Sequence, residues 1–315
     1  MFKQKKYKIN RIILIIVVFI AVILGHICTQ AASLQQETGS KEVNAWPETR
    51  STGKTTQQRP TNRNIYKSKD SPVINPSTEA GKIGVTIWKL LELSSSDNKA
   101  IGSIQTGEKR LVEAEESGKV KKIEMVPQRI NQDTILKQGD KIWLNIEVPK
   151  EGYLYIVDRE QYANGSYGTP YLIYPTKKYA GGNNKVAPGI ITEIPSQTHK
   201  LPFLVLEKSD ATHTAEVISI IVTNEPIPGI IPSEGQQALS KELFAQWEKW
   251  GNPIETERYE LEGGLGLGWT ATEKQVGQDG SKRLKEADPL PQTVYRIATK
   301  STDPMMVSVP LKIQN

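Results

Sequence analysis

Cysteine is almost absent: Cys28 is the only one among the 315 residues. It falls in an N-terminal segment that we expect to be removed on export, which would leave the mature chain without a thiol. Disulfide bonds, thiol catalysis and cysteine-ligated metal sites are then excluded. The stability of the mature chain must therefore come from a packed core.

The N-terminal segment has the pattern of a signal peptide. Residues 1–11 carry five basic and no acidic side chains, and an apolar run of fourteen residues follows in Ile12–Gly25. A spanning helix needs ~20 apolar residues, so the run fits the shorter core of a signal peptide better. We expect residues 1–32 to be a cleaved signal peptide.

The alternative is an uncleaved N-terminal anchor, with membrane attachment through residues 12–28. Both interpretations predict an extracytoplasmic protein that acts in the periplasm, at the cell surface or in the medium.

The mature chain also lacks net charge. The whole chain has 40 basic and 35 acidic residues, and a pI near 9.0. Residues 1–32 contain five of the basic residues and no acidic one, so their removal leaves 35 of each. The basicity belongs to targeting, and no nucleic-acid partner is expected.

Residues that carry catalysis are scarce. Outside the signal segment the histidines are His199 and His213, and both lie in polar segments that we interpret as exposed loops. No serine lies in a G-x-S-x-G turn, and no H-E-x-x-H or comparable zinc spacing occurs. The sequence therefore predicts no catalytic residues, no metal and no cofactor.

Two segments near the C-terminus, one rich in glutamate and one rich in glycine, are similar to known kinds of functional site. Glu255, Glu257, Glu260 and Glu262 lie close together, and paired carboxylates can hydrolyse glycosidic bonds, but alternating acids on an exposed strand face explain them more simply. The glycine-rich segment 263–269 lacks the G-x-G-x-x-G order. We expect neither an apolar strand before it nor a helix after it, and interpret it as a connector or bulge.

Composition divides the rest of the chain into two parts. Residues 33–80 are polar and have little apolar periodicity, which predicts a disordered linker. Residues 81–315 predict a mainly β domain, a β-sandwich or small barrel with one helix. Residues 130–225 would form its core and residues 226–315 a helix plus a terminal hairpin, in one domain or two.

Apolar alternation locates the elements of this domain. Ile142–Val148 and Tyr153–Val157, joined by the turn residues 149–152, predict a hairpin. The nearly continuous Val/Ile run in 216–223 predicts a strand buried on both faces. Ser240–Trp250 predicts the single helix, with Ser240 as its N-cap. Further strands are predicted at 85–90, 111–126, 171–174, 203–206, 294–299 and 305–313.

Tyrosine is unevenly distributed, because seven of the eleven tyrosines lie between positions 153 and 179. One interpretation is that they pack half-buried on the sheet. The other is that some of them line a surface that stacks on sugar or grips peptide, since a tyrosine ring buries area while its hydroxyl stays wet. The candidate binding residues are Tyr153, Tyr155, Asp158, Arg159, Tyr162, Tyr171 and Tyr174.

Five short motifs in residues 130–225 resemble a bacterial domain-of-unknown-function family, catalogued under the number forty-three eighty-four. They are Gly139-Asp140, Gly152–Glu160, Leu172–Pro175, Asn183-Asn184 and Ile194-Pro195. The flanking pieces 84–88 and 291–296 are similar to neighbours of that domain in longer secreted members. The resemblance implies a β-rich exported accessory or recognition module without established catalytic residues.

Three functions follow as expectations. The first is a non-enzymatic binding or accessory module of the cell envelope, whose partner is an envelope protein or a glycan. The second is a hydrolase of envelope polymer that uses carboxylates or a loop serine. The third is a structural surface protein.

Overall fold

A computed structural model describes residues 55–57, 80–92, 110–116, 119–196, 202–250, 256–261, 264–279, 283–284, 288–298 and 302–314. The expected signal segment or anchor and most of the expected linker lie outside these residues, as does His199. The described residues contain fifteen strands and two α-helices.

The strands are β1 (Thr55–Gln57), β2 (Ala80–Glu92), β3 (Arg110–Glu116), β4 (Lys119–Ile130), β5 (Lys141–Glu147), β6 (Gly152–Tyr162), β7 (Tyr171–Tyr174), β8 (Lys185–Val186), β9 (Thr192–Ile194), β10 (Leu204–Val205), β11 (His213–Thr223), β12 (Gln237–Ala238), β13 (Thr256–Leu261), β14 (Thr293–Ala298) and β15 (Met305–Lys312). The helices are α1 (Lys241–Glu248) and α2 (Ala271–Asp279), and a short 3-10 turn spans Ala180–Gly182.

The first sheet has nine strands arranged around β2. One edge of β2 pairs with β5, while the other pairs with β14 over its first half and with β4 over its second. Beyond these lie β13 and β1, β3, and the short β9 and β10 beside β5.

The second sheet has six strands in the order β12-β7-β6-β11-β15, with β8 also beside β6. The two central strands, β6 and β11, pair antiparallel from Tyr162–His213 to Tyr153–Thr223. Residues 217–223 are all buried, as the Val/Ile run predicts.

The two sheets share one apolar core. Alternate residues of β5, Ile142, Leu144 and Ile146, pack in the same cluster as Ile218 of β11 and Val309 of β15. This is the burial that period-2 alternation predicts. The described residues are therefore mainly β, in two sheets, with no closed barrel among them.

The predicted hairpin between residues 142–148 and 153–157 is wrong. β5 belongs to the first sheet and β6 to the second, and both edges of each strand are occupied by other strands. The turn between them carries the chain from one sheet to the other. The second face of β5 is also buried, at Trp143, Asn145 and Glu147. The alternation of apolar and polar residues in the sequence therefore did not distinguish a core strand from one strand of a hairpin.

Helix α1 agrees with the prediction for residues 240–250. The Ser240 hydroxyl accepts a hydrogen bond of 3.1 Å from the Leu243 N–H, which caps the first turn. Phe244 and Trp247 cover the outer face of the second sheet, where they pack with Tyr155.

The expectation of a single helix is wrong, because a second helix, α2, follows the glycine-rich segment. A strand, β13, precedes that segment. The loop backbone pairs with β4: Arg129 N–H donates to Leu267 O at 3.1 Å, and Gly266 N–H donates to Arg129 O at 3.0 Å. Arg129 also forms a buried ion pair with Glu273 of α2. The glycine-rich segment is thus an ordered loop that is hydrogen-bonded to β4 of the first sheet.

Among the described residues, no helix has both the length and the hydropathy to cross a bilayer. Residues 12–28 lie outside that part of the chain.

Candidate functional site

A group of carboxyl side chains lies where the core ends on the inner face of the second sheet. Along β6, Leu154 and Ile156 belong to the shared core, and strand alternation puts Asp158, Glu160 and Tyr162 on the same face. We call Asp158, Glu160, Glu216, Tyr162 and His213 the carboxyl cluster.

The β6–β11 register brings Glu216 into this cluster. Ile218 lies opposite Asp158, and Glu216 lies opposite Glu160. Directly opposed residues of an antiparallel pair have Cβ atoms about 4.5–5.5 Å apart. The two strands therefore gather three carboxyl groups on one small area of sheet.

Asp158 and Glu216 form a hydrogen-bonded carboxyl pair. Burial raises the pKa of Asp158 to about 6, although the hydrogen bond from Glu216 opposes the rise. Burial, followed by the charge of Asp158, raises the pKa of Glu216 to about 9. Two carboxylates in contact cannot both ionise easily, so at neutral pH the pair holds one proton.

Glu160 and Tyr162 form the more exposed side of the cluster. The Tyr162 hydroxyl donates to Glu160 Oε2, and this hydrogen bond raises the pKa of Tyr162. The Glu160 side chain is 34% exposed and that of Glu216 only 14%. Solvent therefore reaches the cluster from the Glu160 side.

Gly168 packs against this exposed side. Its N–H donates to the Glu160 carbonyl at 3.0 Å. A Cβ at position 168 would lie 3.2 Å from Glu160 Oε2 and 3.4 Å from the Tyr162 hydroxyl. The turn at Asn164-Gly165, where Gly165 has a φ of 80°, reverses the direction of the chain. Gly168, which has no side chain, is thereby placed against the carboxyl cluster.

His213 is fully buried as the first residue of β11, so its expected position in an exposed loop is wrong. An irregularity between His213 and Ala215 turns the ring toward Glu160 and Glu216. Nε2 lies 3.0 Å from Ala215 O, and Nδ1 accepts from Ser209 N–H at 3.3 Å. These bonds fit a ring whose proton is on Nε2 and whose two nitrogens are both occupied by backbone.

Tyr171 reaches the cluster through a second irregularity. In the β6–β7 register Tyr174 lies opposite Ile156, Leu172 opposite Val157 and Tyr171 opposite Asp158, so that β7 contains one extra residue. Cross-strand partners point to the same face, which puts Tyr171 on the side of Asp158. Tyr171 is one of the large hydrophobic residues that are exposed in the described part of the chain, with an exposed fraction of 38%.

Two of the other predicted residues lie on the opposite face of the second sheet, under α1. Tyr155 is buried, and its hydroxyl accepts from Ile227 N–H at 2.8 Å. The Arg159 guanidinium lies 4.3 Å from the Tyr167 ring and 4.4 Å from the Phe244 ring. It also forms an ion pair of 2.7 Å with Glu248. These contacts attach the helix to the sheet.

Tyr153 and Tyr174 complete the predicted set. Tyr153 is half-buried beside Lys185, whose Nζ lies 5.9 Å from its ring. Tyr174 is buried and donates to Asn183 O at 3.0 Å. Of the seven predicted residues, the structure brings together Asp158, Tyr162 and Tyr171.

Sequence reasoning did not include Glu160, Glu216 and His213 in the site. The spacing of Asp158, Glu160 and Tyr162 in the sequence already puts these three on one face of a strand. The partner strand and its register depend on pairing between residues more than fifty positions apart, which no local pattern contains.

Of the glutamates near the C-terminus, the two that the structure describes, Glu257 and Glu260, are not alternating acids on an exposed face. Glu260 is buried and accepts from Thr293 Oγ1 at 3.0 Å, and burial raises its pKa. Glu257 forms an ion pair of 3.2 Å with Arg296. Glu255 and Glu262 lie outside the described residues.

Among the described residues, no group of three or more His, Cys, Asp or Glu side chains is arranged to hold a metal ion. No protein family, curated protein or solved structure matches the chain. The family resemblance in residues 130–225 stays a prediction, and the site has to be interpreted from its own chemistry.

Proposed function

We propose that the protein is an exported, non-enzymatic binding module of the cell envelope and that the carboxyl cluster, with Tyr171 beside it, is its binding site. The observation that carries this proposal is the meeting of three carboxyl groups with two partly exposed tyrosine rings at the end of the core. Export rests on the pattern of residues 1–32.

The chemistry of the cluster suits recognition. Carboxylate oxygens are strong hydrogen-bond acceptors, and tyrosine supplies ring area and a polar hydroxyl at low entropic cost. Both an envelope protein and a glycan carry the donors that such a site accepts. The β-sandwich arrangement expected from the sequence would present the cluster at one end of its two sheets, where binding loops commonly lie.

A hydrolase of envelope polymer is the second candidate, because the Asp158–Glu216 pair holds a proton at neutral pH, as a general acid must. The spacing argues against it. Glycosidases hold their two carboxyl groups about 5–9.5 Å apart, with the scissile bond between them, whereas these two groups bond directly to each other.

A retention experiment tests the binding proposal. The full-length protein, as its cells export it, is immobilised and exposed to envelope extract and to purified envelope glycan. The variant D158N/Y171A should lose a retained species that is identified by mass spectrometry. Glu234→Gln, on a side chain that is 74% exposed, should retain it. Equal retention by all three proteins, or by none, would refute the proposal.

The same preparations separate binding from hydrolysis. If the wild-type protein releases soluble fragments from envelope polymer and Glu216→Gln does not, the second candidate replaces the first. Retention without release supports the binding module.

A further inference from the structure

We infer that β1 is an exchangeable strand. The edge of β13 that it occupies also takes residues 55–57 of a second copy of this chain, so that two copies join through their first sheets. The carboxyl cluster lies on the second sheet, and this inference does not depend on it.

The edge of β13 is a surface on which an extended segment binds. β1 comes from the polar segment 33–80 and pairs with β13 in parallel, with Thr55 opposite Tyr259 and Gln57 opposite Leu261. β13 has six residues, whereas β1 has three. A sheet edge is a row of N–H and C=O groups that pairs with any strand of fitting register. The β13 edge therefore accepts a strand from far away in the sequence, and the strand that occupies it is short.

The register shows which backbone groups hold β1. Leu261 N–H donates to Gln292 O at 2.9 Å, on the β14 side, so the neighbouring Glu260 directs its N–H and C=O to β1. Glu260 lies opposite Thr56. In a parallel pair such a residue bonds to the residues before and after its partner. The Gln57 N–H therefore donates to β13, whereas the Thr56 N–H points away from it.

The chain between β1 and β2 is long enough for exchange. Twenty-two residues, 58–79, join the two strands. Within one copy, the ends of this connection lie three strands apart across the sheet and six residues apart along it, which is about 25 Å. Twenty-two residues reach at most about 75 Å when extended. The length of the connection therefore allows β1 to reach the β13 edge of a neighbouring copy.

A second copy is the partner that fits this edge. It carries the same Thr-Thr-Gln segment and can place it in the same register, so the exchanged pairing forms the same hydrogen bonds as the closed pairing. A strand of three residues forms few such bonds, so β1 is easily released. The balance between closed and exchanged pairing then depends on the concentration of copies, and reciprocal exchange gives a symmetric dimer.

Sedimentation velocity of the full-length protein, as its cells export it, measures the dimer. Gln57→Pro removes an N–H that bonds to β13. The matched control is Thr56→Pro, which places the same residue where the N–H points away, as edge strands tolerate. We expect a dimer fraction that rises with concentration in the wild-type protein and in Thr56→Pro, and that is lower by about fivefold or more in Gln57→Pro.

Disulfide trapping identifies the two strands that meet. Thr55→Cys and Tyr259→Cys, which change register partners, are made in separate preparations of the full-length protein that also carry Cys28→Ser. After air oxidation, their mixture should give about tenfold more covalent dimer than a mixture of Thr55→Cys with Glu234→Cys, at a side chain that is 74% exposed. One chain with both Thr55→Cys and Tyr259→Cys should form the bond internally when dilute, which shows that this variant folds.

Three results would overturn the inference. The first is an equal dimer fraction in Gln57→Pro and Thr56→Pro. The second is an internal bond in the double variant without covalent dimer from the mixture at any concentration, because β1 would then stay on its own copy. The third is an unrelated envelope protein that immobilised Gln57→Pro retains better than wild type while no second copy binds, which would assign the β13 edge to that protein.

Discussion

Replacing Glu216 by Gln isolates the carboxyl pair through its effect on folding stability. In the folded protein the pKa of Glu216 is raised to about 9 from its ordinary value of 4.5. Below pH 4.5 the folded and unfolded states both hold the proton, and the pair costs nothing. Above that pH the unfolded state releases the proton and the folded state retains it, so stability falls as pH rises toward 9.

The magnitude follows from 1.36 kcal/mol per pKa unit. Between pH 5 and pH 8.5 the wild-type protein should lose up to about 5 kcal/mol of unfolding free energy through this one group. A glutamine side chain at this position would keep the volume and carry no charge at any pH. The variant should therefore lose far less stability over this range and be the more stable protein at pH 8.5.

Urea unfolding, followed by tryptophan fluorescence at pH 5, 7 and 8.5, measures this difference. Glu234→Gln removes the same charge from an exposed position and should follow the wild-type protein at every pH. Parallel pH profiles for wild type and Glu216→Gln would refute the assignment of the shared proton.

Three smaller predictions concern the support of the site, each measured by urea unfolding. Gly168→Ala would crowd the carboxyl cluster and should cost about 1–3 kcal/mol and weaken binding, whereas Gly235→Ala, which meets nothing within 4 Å, should do neither. Arg159→Ala breaks a mostly buried ion pair with Glu248 and should cost about 3 kcal/mol, against less than about 1 kcal/mol for Lys177→Ala at an exposed pair. Ser240→Ala should cost about 1 kcal/mol, because α1 loses its N-terminal cap. Unchanged stability in Gly168→Ala, Arg159→Ala or Ser240→Ala would contradict the contacts described for that residue.

Patterns with a local cause were predictable from the sequence. Val307, Val309 and Leu311 alternate along β15, and all three lie in the shared core, because the strand period fixes which side chains share a face. The cap of α1 at Ser240 likewise depends on residues within a single turn.

Other features required tertiary information. Nothing local to Pro149–Glu151 indicates that the chain changes sheets there, since either outcome leaves the alternation of the flanking strands unchanged. His213 was interpreted as a loop residue from its polar neighbours, and its burial depends on β6 lying alongside. Helix α2 did have a local signal. Thr270 and Glu273 form a capping box in which each side chain bonds the other's N–H, but the helix has too few apolar residues for their periodicity to reveal it.

The extra residue in β7 has a consequence for how the site could be gained or lost. Leu172 and Tyr174 pack on opposite faces of the sheet because Ile173 lies between them in an irregular stretch. In a regular register Ile173 would pair with Val157 and Tyr171 with Arg159, which would turn Tyr171 to the face under α1, while the central β6–β11 pairing need not change. The bulge at Ile173, more than the composition of this short strand, therefore decides whether a tyrosine faces the acidic end of the sheet. A homologous chain that keeps the same tyrosine but pairs β7 without the bulge would present it on the wrong face.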